Sequence, residues 1–291
     1  FNDYLINSAY AGTYDFTPLI LNHRNQWVGF GEAAPQTSSI SMHGSMQKNS
    51  ALGGSMIYDK TDNLSETQLE FSYVYHAMLN GRSSMGLSMA LGGTFTMQQW
   101  IMKEGASASA IKYNEIDPVN ENNSTESIGD VNFGLILFSE YFDLGLSLRN
   151  LLAPEHTNPD TQDKINRAKY LLIHGTYLGS RNQNSPFALV PSFLIRKMGL
   201  ITYNELFQAD LNLKIIYRNK MWTGISYRTH EQAICVLLGF NTKKLFLGWS
   251  YDIGTSGISA YHNGSHNIAL GLKLSGKKNR KIRNQNIFDL N

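Results

Sequence analysis

The stretch Leu206-Phe207-Gln208-Ala209-Asp210-Leu211-Asn212-Leu213-Lys214-Ile215-Ile216-Tyr217 decides the fold. Phe207, Ala209, Leu211, Leu213, Ile215 and Tyr217 point one way, while Leu206, Gln208, Asp210, Asn212 and Lys214 point the other. A period of two is a strand with one apolar and one mostly polar face. A strand needs about 9–11 residues to cross a bilayer at a tilt. The same alternation returns along the chain. Ile40, Met42 and Met46 alternate with Ser39, Ser41, His43 and Ser45; Leu69, Phe71, Tyr73 and Tyr75 alternate with Gln68, Glu70, Ser72 and His76. Near the end, Ile268, Leu270, Leu272 and Leu274 alternate with Asn267, Ala269, Gly271 and Lys273. The pattern is that of a transmembrane β-barrel with lipid outside and a polar lumen inside.

Alternation and turn chemistry predict about fourteen antiparallel strands, near 14–24, 37–46, 51–58, 66–78, 84–97, 130–140, 142–150, 169–178, 187–196, 205–217, 221–229, 233–240, 245–253 and 265–275. Connections alternate in length. Residues 25–36, 98–129 and 150–168 are long; 47–49, 140–141, 218–220 and 241–244 are short, and 230–232 breaks the rhythm. Short periplasmic turns and longer outside loops imply an even strand count with both termini in the periplasm. The chain then divides into an N-terminal periplasmic or plug segment (1–13), the barrel (14–275) and a basic periplasmic tail (276–291).

Composition bounds the remaining possibilities. The 291 residues carry a net charge of only +2, which suggests no nucleic-acid partner. Lone Cys235 excludes an internal disulfide framework and reads as a packed thiol. No charged and apolar leader precedes the first strand, so the chain reads as the mature product left after removal of a signal peptide. Gly86, Gly134, Gly145, Gly224, Gly248 and Gly271 fall opposite the clearest apolar residues, where they leave room for lumen side chains. Trp27, Tyr58, Tyr75, Tyr177, Tyr217, Trp222, Trp249 and Tyr251 cluster near strand ends, as interface girdles do.

No phosphate-cradling glycine loop, cysteine pair or nucleophile elbow is present, so no enzyme and no cofactor are expected. His262 and His266 have a metal-like spacing only on a helix, and here they lie in a Gly/Ser-rich stretch leading into a strand. Glu115, Asp117, Glu121, Glu126 and Asp130 are too irregularly spaced for a calcium loop. The lumen face carries both signs: Glu70, Asp210 and Asp252 against Arg149, Arg196, Arg228 and Lys273, with His43, His76 and His174 among them. Mixed charges imply internal ion pairs, which favours a plugged or narrow barrel over an open pore.

Several short motifs go further. Asn7-Ser8-Ala9-Tyr10-Ala11-Gly12 resembles the N-terminal Asn-Pro-Ala-Tyr-Ala-Gly signature of the PorP/SprF family, with Ser8 in place of proline. Arg24-Asn25-Gln26-Trp27 resembles the motif that follows that family's first strand. Asn132-Phe133-Gly134, Leu144-Gly145-Leu146-Ser147, Pro191-Ser192, Trp222 to Arg228, Gly248 to Asp252 and Ser259 to Leu270 follow in the right order. The resemblance implies an outer-membrane β-barrel of the Bacteroidetes type IX secretion system. Its members act with large secreted surface proteins, often gliding adhesins, that carry a C-terminal sorting domain. Some members also bind a periplasmic, peptidoglycan-associated lipoprotein.

Two partner-contact regions are expected from these readings: Arg24, Asn25, Gln26 and Trp27 outside, and the tail residues Lys277, Lys278, Arg280, Lys281 and Arg283 in the periplasm. The competing functions are a passive channel or small-solute transporter, suggested by the polar lumen, and an outer-membrane hydrolase, for which no nucleophile–base pair is visible.

Overall fold

The computed structural model describes residues 2–47, 49–62, 64–79, 85–100, 124–139, 141–152, 155–157, 164–166, 169–178, 185–199, 206–218, 220–255, 257 and 262–274. Two short turns of helix, α1 (Asp3–Ile6) and a 3-10 turn (Ser8–Tyr10), precede the strands. The strands are β1 (Thr17–Asn25), β2 (Gln36–Gln47), β3 (Ser50–Thr61), β4 (Leu64–Met78), β5 (Gly86–Trp100), β6 (Ser124–Phe138), β7 (Phe142–Arg149), β8 (Glu155–Thr157), β9 (Lys164–Asn166), β10 (Tyr170–Tyr177), β11 (Phe187–Met198), β12 (Leu206–Tyr217), β13 (Met221–Arg228), β14 (Ala233–Asn241), β15 (Leu245–Gly254) and β16 (Ser265–Leu274). All but β8 and β9 close into one up-and-down barrel in which β1 pairs antiparallel with β16. The barrel is therefore fourteen-stranded and antiparallel throughout, as the alternation predicts. The hairpin of β8 and β9 is an addition between β7 and β10 that the sequence reading does not contain.

An even strand number puts the start of β1 and the end of β16 at one mouth, here called the near mouth; the opposite one is the far mouth. The strand ends joined by the longer connections, Asn25 and Gln36, Trp100 and Ser124, Arg149 and Tyr170, and Gly254 and Ser265, lie at the far mouth. One departure is the link from β3 to β4. Both strands extend further than alternation alone predicts and leave a two-residue turn at 62–63, where Asp62 adopts a positive φ of 49°.

The wall keeps its ladder register apart from one irregularity between Ser45 and Gln47 on β2. Phe207, Leu211, Leu213 and Ile215 are exposed on the outside, whereas Ile216 is buried and Gln208, Asp210, Asn212 and Lys214 face inward. Trp222 corrects the girdle reading: it is buried in the lumen, over a ring-sized notch left by Gly239, and packs with Leu178, Val190 and Ile216. Its indole lies 4.6 Å from the Lys214 ammonium. An aromatic residue suits either face of a strand, so residue type alone does not place it.

Residues 2–13 lie inside the barrel. Tyr4, Ala9, Tyr10 and Ala11 form a buried cluster with Ala51, Val74, Ala90, Ile136 and Phe138 of the wall. Tyr4 shares a 2.8 Å hydrogen bond with Ser72, and Asn2 donates to Ser41 at 2.7 Å. The Asn7 amide is within 3.1 Å of the carbonyls of Leu135 and Leu146 and of His174 Nε2, while its oxygen accepts from Ala9 N–H at 3.0 Å. Tyr10 donates to Asp143 at 2.8 Å. Gly12, at φ +73°, presses its Cα against Ala51 where any side chain would collide. Buried polar groups left without partners are costly, so this density of paired ones fixes the segment in a single position.

Candidate functional site: the capped far mouth

Arg24 is the last lumen-facing residue of β1, and its register continues Ile20 and Asn22 inward. Its Nη2 lies 2.9 Å from both Glu231 and Asp252. Arg228, on β13 with three strands between it and β1 around the wall, reaches the same two acids through Nη1, at 3.1 and 2.9 Å. Two guanidinium groups thus share two carboxylates across the inside of the mouth. Burial alone would raise the Glu231 carboxyl, but Arg24 and Arg228 hold it below the ordinary glutamate value. Arg196 and Asp210 extend the charged arc along β11 and β12 with a 3.2 Å pair.

Above these charges three connections are tied together. Val28 N–H donates to Gly264 O at 2.8 Å and Asn263 N–H to Val28 O at 2.7 Å, joining the β1–β2 and β15–β16 connections. Thr255 bonds Gln232 O through its N–H and its hydroxyl, at 2.7 and 2.6 Å, which adds the β13–β14 connection. Trp27 sits at the join with φ +50°, a conformation that costs a non-glycine residue roughly 1–3 kcal/mol and persists only where the surroundings dictate it. Its N–H donates to Ser265 Oγ at 3.1 Å, and its ring packs edge-on to Phe30 and beside His262. Gln26, with its amide oxygen turned to Arg24, accepts from Nη2 and Nε at 3.0 Å. Asn25 stands opposite Gln36 and His266 in the ladder. Gln26, Trp27, His230, Glu231, Asp252 and His262 line a cavity of about 180 Å³ at this join.

The other residues singled out by sequence have distinct places. Glu70 is buried and lies 3.6 Å from Arg149, whose Nη2 also donates to Leu5 O at 2.6 Å. Lys273 donates to Thr242 O at 3.0 Å near the opposite mouth. Cys235 is fully buried beside Asp252 in the ladder. His262 and His266 diverge: the first accepts from Gly264 N–H at 2.9 Å, the second packs on Tyr251. Asp130 lies in β6 and accepts from Leu152 N–H at 3.0 Å. The basic tail with Lys277, Lys278, Arg280, Lys281 and Arg283, and the acids Glu115, Asp117 and Glu121, lie outside the described residues. Sequence reasoning passed over Glu231, although an acid three residues after Arg228 at a strand end is the signal that could have found it.

The closed fourteen-stranded barrel, its apolar outer wall and its charged, filled lumen define a membrane barrel of the outer-membrane kind. The chain belongs to the PorP/SprF family: the description "Type IX secretion system membrane protein PorP/SprF" matches residues 1–272. No curated protein matches it. Among solved structures it is similar to the CymD monoaromatic hydrocarbon channel, at 9% identity over 88% of this chain and 87% of that one with a TM-score of 0.48. It is also similar to the outer membrane protein Omp33 of Acinetobacter baumannii, at 8% identity, 89% and 97% coverage and a TM-score of 0.46. A third is BamA from Haemophilus ducreyi lacking POTRA domains 1–3, at 9%, 88% and 69%, and 0.45. The protein is thus an outer-membrane β-barrel of the type IX secretion system.

Proposed function

We propose that the barrel is a receptor in the outer membrane that receives, anchors or displays a large secreted surface protein of the gliding-adhesin class, one carrying a C-terminal sorting domain. The far mouth faces the cell exterior, and the tied connections around Trp27 and Glu231 form the docking surface. Both termini lie in the periplasm, where the tail from Lys277 to Arg283 meets a peptidoglycan-associated lipoprotein. The protein acts by binding and not by catalysis.

The observation that carries this reading is the capped far mouth. A strained tryptophan, a cavity and a charge cluster held on three joined connections are more than barrel closure requires, since the ladder closes the wall without them. The plug inside the lumen speaks against the passive-channel alternative. Replacing Trp27 by alanine tests the docking role. Cargo display at the surface should fall while the barrel keeps its heat-modifiable migration; intact display in a folded Trp27→Ala barrel would remove Trp27 from the docking surface.

A further inference from the structure

The outer wall from β12 to β16 carries two features that the docking reading does not use. Its register aligns Ile215, Thr223, Leu238, Trp249 and Ile268 across five neighbouring strands on the lipid side. Thr223 is the one small side chain in that row. The next row toward the near mouth is Tyr217, Met221, Phe240 and Leu247. The gap at Thr223 becomes an apolar groove of about 650 Å³ whose walls include Tyr217, Met221, Leu238 and Phe240. The Thr223 hydroxyl donates to Leu237 O at 3.0 Å, so the floor of the groove offers an occupant little polarity.

The near-mouth row of the groove, Tyr217, Met221 and Phe240, borders the turns 218–220 and 242–244, which hold Arg218, Lys220, Lys243 and Lys244, all exposed. No acid occurs in sequence between Asp210 and Glu231, or between Glu231 and Asp252, and these three acids belong to the far-mouth arc. Arg218 ties the two features together, because its guanidinium lies 5.3 Å from the ring centroid of the groove wall Tyr217. The turns are stiff. Lys220 N–H donates to Tyr217 O at 3.0 Å, and Thr242 Oγ1 accepts from the N–H groups of Lys244 and Leu245 at 3.3 and 2.8 Å. Three-residue turns hold these cations at the depth of lipid head groups, where basic side chains beside an apolar wall meet phosphate first.

We propose that this groove and its four cations form a binding site for one anionic glycerophospholipid of the near-mouth leaflet. One acyl chain lies over Thr223, and the phosphate sits between the two turns. Native mass spectrometry of the full chain in detergent, with phosphatidylglycerol or phosphatidylcholine added, tests it. Wild type should retain one phosphatidylglycerol, at least about tenfold more strongly than phosphatidylcholine. Combined Arg218→Gln, Lys220→Gln, Lys243→Gln and Lys244→Gln should reduce phosphatidylglycerol retention to the phosphatidylcholine level. Lys60→Gln, an exposed charge on β3, should change nothing. Thr223→Leu, or Thr223→Ile if the first variant does not fold, fills the groove and should weaken retention of both lipids. Equal retention of the two lipids by wild type, full retention by the four-glutamine variant, or stronger retention of lipopolysaccharide would overturn the site. So would a dimer seated at the groove that Thr223→Leu dissociates.

Discussion

A Cβ on Gly134 would overlap Asn7 Oδ1: the wall of β6 is notched at the point where the plug's buried amide docks. The fit is complementary on both sides, since the same amide reaches carbonyls of β6 and β7 and the ring of His174 on β10. Gly134→Val should therefore push the plug off its seat at a cost of about 1–3 kcal/mol, the usual range for overpacking. Gly93→Ala, with no atom within 4 Å of its new methyl, should be close to neutral. Thermal unfolding in detergent compares the two, and equal stability would contradict the seating.

Removal of residues 1–13 should convert a silent barrel into a conducting one. Planar-bilayer recording checks this, with the full chain giving no steady openings and the truncated one giving them. Large, steady conductance from the full chain would favour the transporter reading instead.

The lipid register makes a sharp prediction at adjacent residues. Leu211 is 58% exposed on the outer wall, and Asn212 faces inward. Arginine at Leu211 should cost about 2–4 kcal/mol near mid-membrane, and arginine at Asn212 much less. Folding into lipid vesicles measures the difference; equal tolerance would mean that the faces are reversed.

Glu231 gives the far mouth a pH dependence of defined sign. Its carboxyl is held below its ordinary value of 4.5, so its contribution is present at neutral pH and is lost as pH falls through that lowered value. Acidification should loosen the connection between β13 and β14, and Glu231→Gln should remove that pH-dependent part. Limited proteolysis or hydrogen exchange of residues 229–232 across the acid range reads it out. An unchanged acid response in the variant would assign the effect elsewhere.

Orientation has its own test in a Cys235→Ser background. A cysteine at Gly257, on the far-mouth connection, should react with a membrane-impermeant reagent on intact cells, and one at Asn49, on the near-mouth turn, should not. The reverse result would invert the barrel.

Strand number and register were legible because a half-lipid, half-lumen strand must alternate, and Leu211 and Asn212 differ by that rule alone. The β3–β4 link was less so: Lys60, Thr61 and Asp62 have loop chemistry, yet the first two continue the ladder to Leu64. Polar residues at a mouth suit strand and loop equally. The plug contacts were not legible at all, because Asn7 meets Leu135, Leu146 and His174 across more than a hundred residues of chain. Arg24 was legible as a residue of note but not in its partners. Glu231 and Asp252 are distant in sequence and meet it only once the ring closes.

The seam between Thr17–Asn25 and His266–Leu274 joins the first strand of the barrel to its last. The plug immediately precedes that first strand and lies within the circle it helps complete. A segment buried this densely passes a finished wall only with difficulty, so assembly has a natural order. An order in which the N-terminal segment nests against β3 to β7 while the sheet is still an open curl, with β16 arriving afterwards, avoids that passage. In that sequence of events the plug serves as an internal template for curvature, and barrel closure becomes a checkpoint on its correct seating.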